Sequence, residues 1–438
     1  MGSGYIPIVR RTPGDRETHR ARFRHYRWLV FGILASGYML VSFHRMCPAV
    51  LAVDLMRDLG TGGALTGLLS AAYFYPYAIM QLPAGLLADS WGSRHTVTVF
   101  FLVAAVGSAV LGLAVNTQMA LAGRLLVGLG MGMLFVPTMK VMAEWFRTSE
   151  FVQVAGLLVA AGGLGSLSAT IPLVWLNQMI GWRGSFLVAA LGTALAAVLV
   201  WLLVRNRPAD MGWPAAGPVL TTTPRTTRLL EGVGVVLSCP HFWPLALWLL
   251  LNCGIFFAFA GLWGGPYLMQ VYGLSQDQTG RILAMLSVGM VFGSPLLCTI
   301  AQHLVRRRKP VLIVSNVIVV GATALLGFRT DSIPEWGLYG ICLGLGVFSS
   351  AVAVLAVTMN KELFPTAIAG TATGLINLFP FVGGGILQPL IGYILERHAV
   401  SASGFTTAGY ASAFRVFFGA ASISLLLSLF FREKRMQD

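Results

Sequence analysis

Charge is what this sequence has least of. Asp, Glu, Lys and Arg make up 11% of its 438 residues, against about 25% in a soluble domain, while 56% are hydrophobic and mean hydropathy is +0.76. So much apolar surface cannot be hidden inside one water-soluble core, and the composition points to a chain with many membrane spans. Lysine is scarcer still: Lys140, Lys309, Lys361 and Lys434 are the whole set, and none follows a glycine. The phosphate-binding pattern G-x-x-x-x-G-K-[ST] is therefore absent, which excludes an ATP-driven pump on this chain. The five cysteines are scattered, the seven histidines are not clustered at ligand spacing, and H-E-x-x-H does not occur. No metal, cofactor, disulfide framework or catalytic constellation follows, and the chain is not expected to be an enzyme.

Long apolar runs are what it does have. A helix crosses about 30 Å of hydrocarbon with roughly 20 residues, and twelve runs meet that length: 28–53, 65–87, 96–115, 119–143, 151–176, 185–204, 242–270, 279–303, 310–328, 336–359, 367–395 and 411–431. They are called spans one to twelve below. The expected organisation is a basic tail (1–27), a six-helix bundle (28–204), a polar central loop (205–240) rich in proline, a second six-helix bundle (241–431) and a short tail (432–438). The run starting at Trp28 is longer than a signal-peptide core and reads as an uncleaved first span.

The net charge of +14 looks at first like a nucleic-acid signal. Its placement removes that reading. With the amino terminus inside, 21 of the 30 Lys and Arg residues fall in tails and loops on one side, six on the other and three (Arg45, Arg124, Lys140) within spans. That bias puts both termini in the cytoplasm and makes the excess a topology signal; no nucleic-acid partner is expected.

The halves are related. Glu144, Phe146, Gly156 and Leu157 recur as Glu362, Phe364, Gly374 and Leu375, and Pro48 recurs as Pro266, all at an offset of 218 residues. A duplicated six-span unit is the parallel repeat of one large transporter class.

The turn after span two reads Gly85-Leu-Leu-Ala-Asp89-Ser-Trp-Gly92-Ser-Arg94. With two six-span halves and a long central loop, it resembles the major facilitator superfamily, whose signature at this place is G-x-x-x-D-R-x-G-R-R; Ser90 and Ser93 stand where two arginines are usual. Arg124 with Gly128, Gly130 and Gly132 is similar to the family's span-four motif, and Trp182-Arg183-Gly184 opens span six. The resemblance implies a fold of twelve transmembrane helices in two bundles. It also implies that Asp89 and Arg94 belong to a latch closing the cytoplasmic side. Glu144 and Glu362, repeat-related and at cytoplasmic span ends, are expected to form gating salt bridges. The span-five glycine-proline signature of drug and proton antiporters is missing, which argues against drug export.

Ionisable groups inside spans are functional candidates by default. Arg45 is the eighteenth residue of the 26-residue first run, too deep to reach the interface simply by snorkelling, and its guanidinium offers a fork for carboxylate or phosphate. Tyr38 shares its helical face. An arginine here resembles the organic-anion branches of the superfamily, in which it contacts the anionic group. Lys140 and Arg124 are candidate second cations, and His44 could carry a coupled proton. Polar stripes at helical spacing add Tyr73 and Tyr77 with Gln81 in span two, Asn252, Trp263 and Tyr267 in span seven, and Asn377 and Gln388 in span eleven as cavity-lining candidates. Each of these could equally serve packing. Gly128 with Gly132 and Gly370 with Gly374 are spaced for close helix approach, and Pro380 with Gly383 to Gly385 for a bend. Asp54 could pair with Arg57 or cap a helix.

The expectation is an all-α polytopic protein of the bacterial inner membrane, monomeric among its lipids. It would be a secondary transporter moving a small organic anion by alternating access, proton-coupled or by exchange. Alternatives are a carrier of another solute, such as a drug, peptide or metal chelate, or a transporter-like receptor that moves nothing.

Overall fold

A computed structural model describes residues 13–213, 226–401 and 404–433. The first twelve residues, the loop segment 214–225 and the last five, which include several of the tail and loop basic residues counted above, lie outside the described residues.

Among the described residues the chain is helical apart from a two-stranded antiparallel hairpin, Ala399–Ser401 with Gly404–Phe405. Eleven helices among the described residues are long and apolar enough to cross a membrane. Span two completes the set although a break divides it into Gly63–Ala71 and Phe74–Ser90. The others are Pro13–Met46 with Pro48–Leu59 (span one), Ser93–Gly112 (three), Thr117–Met131 with Phe135–Trp145 (four) and Thr148–Ser168 leading into Ile171–Leu203 (five and six). They continue with Phe242–Val271 (seven), Gln276–Leu304 (eight), Arg308–Phe328 (nine), Glu335–Leu363 (ten), Thr366–Ile376 with Leu378–Glu396 (eleven) and Thr407–Leu429 (twelve).

Three boundaries differ from those expected. The tail is not separate from span one: residues 13–27 continue the same helix. Spans five and six have no intervening loop, because Gly181 turns the chain at φ +71° inside one helical run, a conformation open to glycine at little cost. The central connection carries its own helix, Thr226–Leu237.

The repeat has a structural counterpart. Spans four and ten both end in an extended phenylalanine, Phe146 (φ −118°, ψ 149°) and Phe364 (φ −117°, ψ 152°), and both preceding glutamates are in ion pairs, Glu144 with Arg207 and Glu362 with Arg308. Pro48 follows the break in span one and Pro266 follows a π-helical turn, Phe259–Trp263, in span seven. Proline lacks the amide that would close the helical ladder, so irregularity recurs where it does.

An even number of spans puts both chain ends on one face, called the terminal face; the other is the far face. Span two packs on span eleven so closely that a Cβ on Gly63 would lie 2.4 Å from the Gly392 carbonyl oxygen, and one on Gly392 would lie 2.1 Å from that of Gly63. Gly128 likewise abuts the Tyr73 backbone, whereas Gly370 and Gly374 have open space where a Cβ would be. The second of the two spaced glycine pairs is therefore not a packing contact in this structure.

Candidate functional site

The breaks in spans one and two shape the centre of the molecule. Pro48 cannot donate to the His44 carbonyl four residues earlier, so that oxygen needs another donor. Arg124 supplies it, from Nη1 over 2.9 Å, and reaches the Ser70 carbonyl from Nη2 over 3.4 Å. Its guanidinium also lies 5.3 Å from the Tyr73 ring centroid, and the residue is 2% exposed. Arg124 is thus a staple between two broken helices, with both Nη groups on backbone carbonyls and its Nε buried without a partner.

Arg45, at the last turn before the same break, is used differently. Its Nη2 donates to the Tyr77 hydroxyl over 3.1 Å. The guanidinium carbon lies 5.1 Å from the ring centroid of Tyr77, 5.1 Å from Phe381 and 5.6 Å from Phe257. Nε has no partner, and no ion pair to a carboxylate is found for Arg45 among the described residues. Tyr77 stands on span two, Phe257 on span seven and Phe381 on span eleven, so the cage draws on both halves. Phe381 meets Tyr77 at 4.4 Å between centroids and stacks on Phe257 at 5.7 Å. Cation–π contact stabilises a desolvated guanidinium by about 2 kcal/mol, while the charge itself stays uncompensated. Phe257 and Phe381 were missed in the sequence because apolar aromatics at helical spacing read as ordinary core.

Of the expected lining, Tyr38, Tyr73 and Tyr77 are near Arg45. Tyr38 packs on Phe135 at 5.4 Å, and Tyr73 stacks on Tyr77 at 5.5 Å while its hydroxyl donates to the Val41 carbonyl. His44 is fully buried, with neither ring nitrogen partnered.

The rest are engaged elsewhere. Asn252 donates to the Ser349 carbonyl over 2.9 Å, at a π-helical turn in span ten, and Ser349 returns its hydroxyl to the Asn252 carbonyl. Gln388 donates to the Phe257 carbonyl, and Trp263 donates to the Gln388 carbonyl, each over 2.9 Å. Tyr267 donates to the Thr330 carbonyl inside a cluster with Tyr410 and Phe414. Asn377 closes the first helix of span eleven and is half-buried. Lys140 is not a second cation beside Arg45: it forms an ion pair with Asp89 and donates to the Ala88 carbonyl over 2.8 Å.

At the terminal face, Asp89 therefore pairs with Lys140 instead of Arg94. Arg94 stacks on Trp201 at 4.5 Å and donates to the Trp201 carbonyl. Arg27 grips Glu150 through both nitrogens, at 2.8 and 3.0 Å. These contacts, with Glu144–Arg207 and Glu362–Arg308, each stay within one half or reach only the connection.

Hydrogen bonds joining the halves run from mid-span, where the Tyr75 hydroxyl donates to the Gly385 carbonyl over 2.8 Å, to a cluster at the far face. Asp54 pairs with Arg57 at 3.2 Å and accepts from Asn177 at 2.8 Å and from Gln276 at 3.1 Å. Glu396 accepts the Ala64 amide over 2.9 Å, capping the first helix of span two from the opposite half, a favourable place for a carboxylate. Nearby, Asp58 accepts from Trp182 at 2.9 Å, Arg57 at 3.1 Å and Arg183 at 3.0 Å; these bonds, the one from Trp182 foremost, hold its carboxyl below the ordinary range. The far face is thus closed. Between the halves, Met46, Ser166, Phe256 and Ser287 help line a cavity of about 10 Å³, room for one water molecule.

The profile described as the Major Facilitator Superfamily matches residues 34–387. The chain belongs to the major facilitator superfamily. This fold carries secondary transport by alternating access. Among relatives, a Bacillus subtilis (strain 168) protein named "Probable galactarate/D-glucarate transporter GudP" is 24% identical over 95% of this chain and 92% of its own length. The hexuronate transporter of Escherichia coli (strain K12) is 22% identical over 86% and 89%, and the D-galactonate transporter of Escherichia coli O6:H1 is 22% identical over 90% and 92%. Similar folds include a bacterial homologue of the human lysosomal transporter Spinster, in an inward-facing, occupied conformation. Its TM-score is 0.73 at 17% identity, over 93% of this chain and 96% of that one. A D-xylose–proton symporter has a TM-score of 0.71 at 14% identity, over 93% and 98%. This superfamily chain is therefore a multi-pass protein of the inner membrane, and the named relatives are transporters.

Proposed function

We propose that this chain moves a small organic anion, a sugar acid carrying a carboxylate, by rocking its two halves about Arg45. The observation that carries the reading is the Arg45 cage: a cation with no carboxylate partner, held where spans one, two, seven and eleven meet. An uncompensated buried charge is costly, and an anionic substrate supplies the missing charge with a geometry that suits the planar fork. The names of the three relatives given above, each for a sugar acid, support the same substrate class. Cargo enters and leaves as the halves part at one face and close at the other, with the terminal face in the cytoplasm, where the Lys and Arg excess falls. The moving bodies are 28–204 and 241–431, acting as a monomer, and the reading assigns the chain no catalytic step.

The test is uptake of galactonate, glucarate and glucuronate into proteoliposomes holding purified protein. Wild-type protein should accumulate at least one of them, and Arg45→Ala should abolish uptake while eluting as wild type on size exclusion. Uptake driven by a pH gradient assigns proton coupling; uptake only against internal anion assigns exchange. Normal transport by Arg45→Ala overturns the site. Binding without flux for every anion gradient assigns a receptor.

A further inference from the structure

A groove of about 570 Å³ opens at the terminal face, well away from Arg45, lined by Arg22, His25, Tyr26, Leu29, Met211 and Trp213. Positions 22, 25, 26 and 29 share one face of the extended span-one helix, and the facing wall is the short turn Pro208–Met211 with Trp213. Both walls are fixed. Tyr26 donates to the Leu203 carbonyl, and Trp213 packs edge-on against Tyr26 at 5.2 Å, Phe23 at 5.6 Å and Trp145 at 5.9 Å. The turn is closed by the Arg207 amide on Asp210, at 3.1 Å.

The lining holds two basic side chains and no acid. Its other members are aromatic or aliphatic, and Leu29 and Met211 are 45% and 40% exposed. The apolar run of span one begins at Trp28, one residue before Leu29, so the groove opens at the depth of lipid head groups, with its basic end toward water. Basic pockets beside juxtamembrane helices recognise anionic head groups, and a phosphodiester offers the oxygens an arginine fork takes.

We propose that this groove binds an anionic phospholipid, its phosphate on Arg22 and His25 and its acyl chains over Leu29 and Met211. The assignment stands whatever solute the chain carries. Full-length protein in mixed micelles containing equal phosphatidylglycerol and phosphatidylcholine is examined by native mass spectrometry. Phosphatidylglycerol should be retained several-fold over phosphatidylcholine, and Arg22→Gln with His25→Gln should remove that preference. Met211→Asp, which leaves both basic residues in place, should lower total lipid retention and serves independently if the double variant does not fold. Equal retention of the two lipids, or a preference unchanged in folded variants, overturns the proposal. So does displacement of the lipid by equimolar inorganic phosphate, which would assign a free-anion site.

Discussion

Gln276 of span eight donates its amide to Asp54 of span one over 3.1 Å, and that bond joins the two halves at the far face. Asn177 of span five meets the same carboxylate oxygen. A charge-assisted hydrogen bond contributes about 1.5–3 kcal/mol. Asp54→Ala should therefore shift the balance of closed and open far faces by roughly 10- to 100-fold, at tenfold per 1.4 kcal/mol. Spin labels on Asn116 and Asp331, in far-face loops of opposite halves, should show a growing long-distance population. An unchanged distribution would remove Asp54 from the gate.

The glycine contact between spans two and eleven should act in the same direction by another route. A methyl group on Gly392 would meet backbone at 2.1 Å, and backbone cannot move aside as a flexible side chain would. Gly392→Ala is expected to hold the far face ajar, giving the same long-distance population with slower transport. Gly321→Ala, where nothing lies within 4 Å, is the matched control and should transport as wild type.

Much of the architecture was legible because the membrane makes hydropathy decisive: apolar runs of the right length and a Lys and Arg imbalance suffice for twelve spans. The roles of the polar residues were not. Arg124, Asn252 and Gln388 stood out as intramembrane polar groups, yet each serves a backbone carbonyl at or beside a proline break or π-helical turn. In hydrocarbon every freed carbonyl needs a donor, so irregular spans consume the side chains that would otherwise read as substrate ligands. Sequence shows a polar residue and a proline without showing that one answers the other. Arg45 escapes because its neighbours across the interface are aromatic rings. Pairing was also hidden: Asp89 and Arg94 are five residues apart, but Lys140, from another span, takes the carboxylate.

Tyr77→Phe separates the two ways Tyr77 holds Arg45. The ring beneath the guanidinium is kept and the hydroxyl that accepts from Nη2 is lost. At about 1.5 kcal/mol for a hydrogen bond to a charged group, the variant should raise KM for the transported anion by about tenfold and leave thermal stability nearly unchanged. A wild-type KM would mean that the hydroxyl does not help to position Arg45.

The Asp58 carboxyl gives a pH signature independent of transport. Because its bonds to Trp182, Arg57 and Arg183 hold the folded-state carboxyl below the ordinary value near 3.9, the stability it contributes is present above that value and is lost as pH falls through the lower one. Wild type and Asp58→Asn should therefore differ in Tm at pH 7 and converge below about pH 4. A constant gap down to pH 3 would place the contribution in packing.

The Asp89–Lys140 ion pair tests whether a weak contact can matter for motion. Its side chains are 50% and 34% exposed, and exposed pairs contribute about 1 kcal/mol or less. Asp89→Asn should move Tm by no more than a few degrees. If the pair belongs to the mechanism that closes and opens the terminal face, the same variant should slow transport well beyond that stability change. The charge-swapped double variant, Asp89→Lys with Lys140→Asp, should recover part of the rate, because the attraction is restored with the residues exchanged. The Ala88 carbonyl, which also accepts from Lys140, loses its donor in the swap, so recovery should be incomplete. A single variant that transports normally would leave the pair with a purely local role.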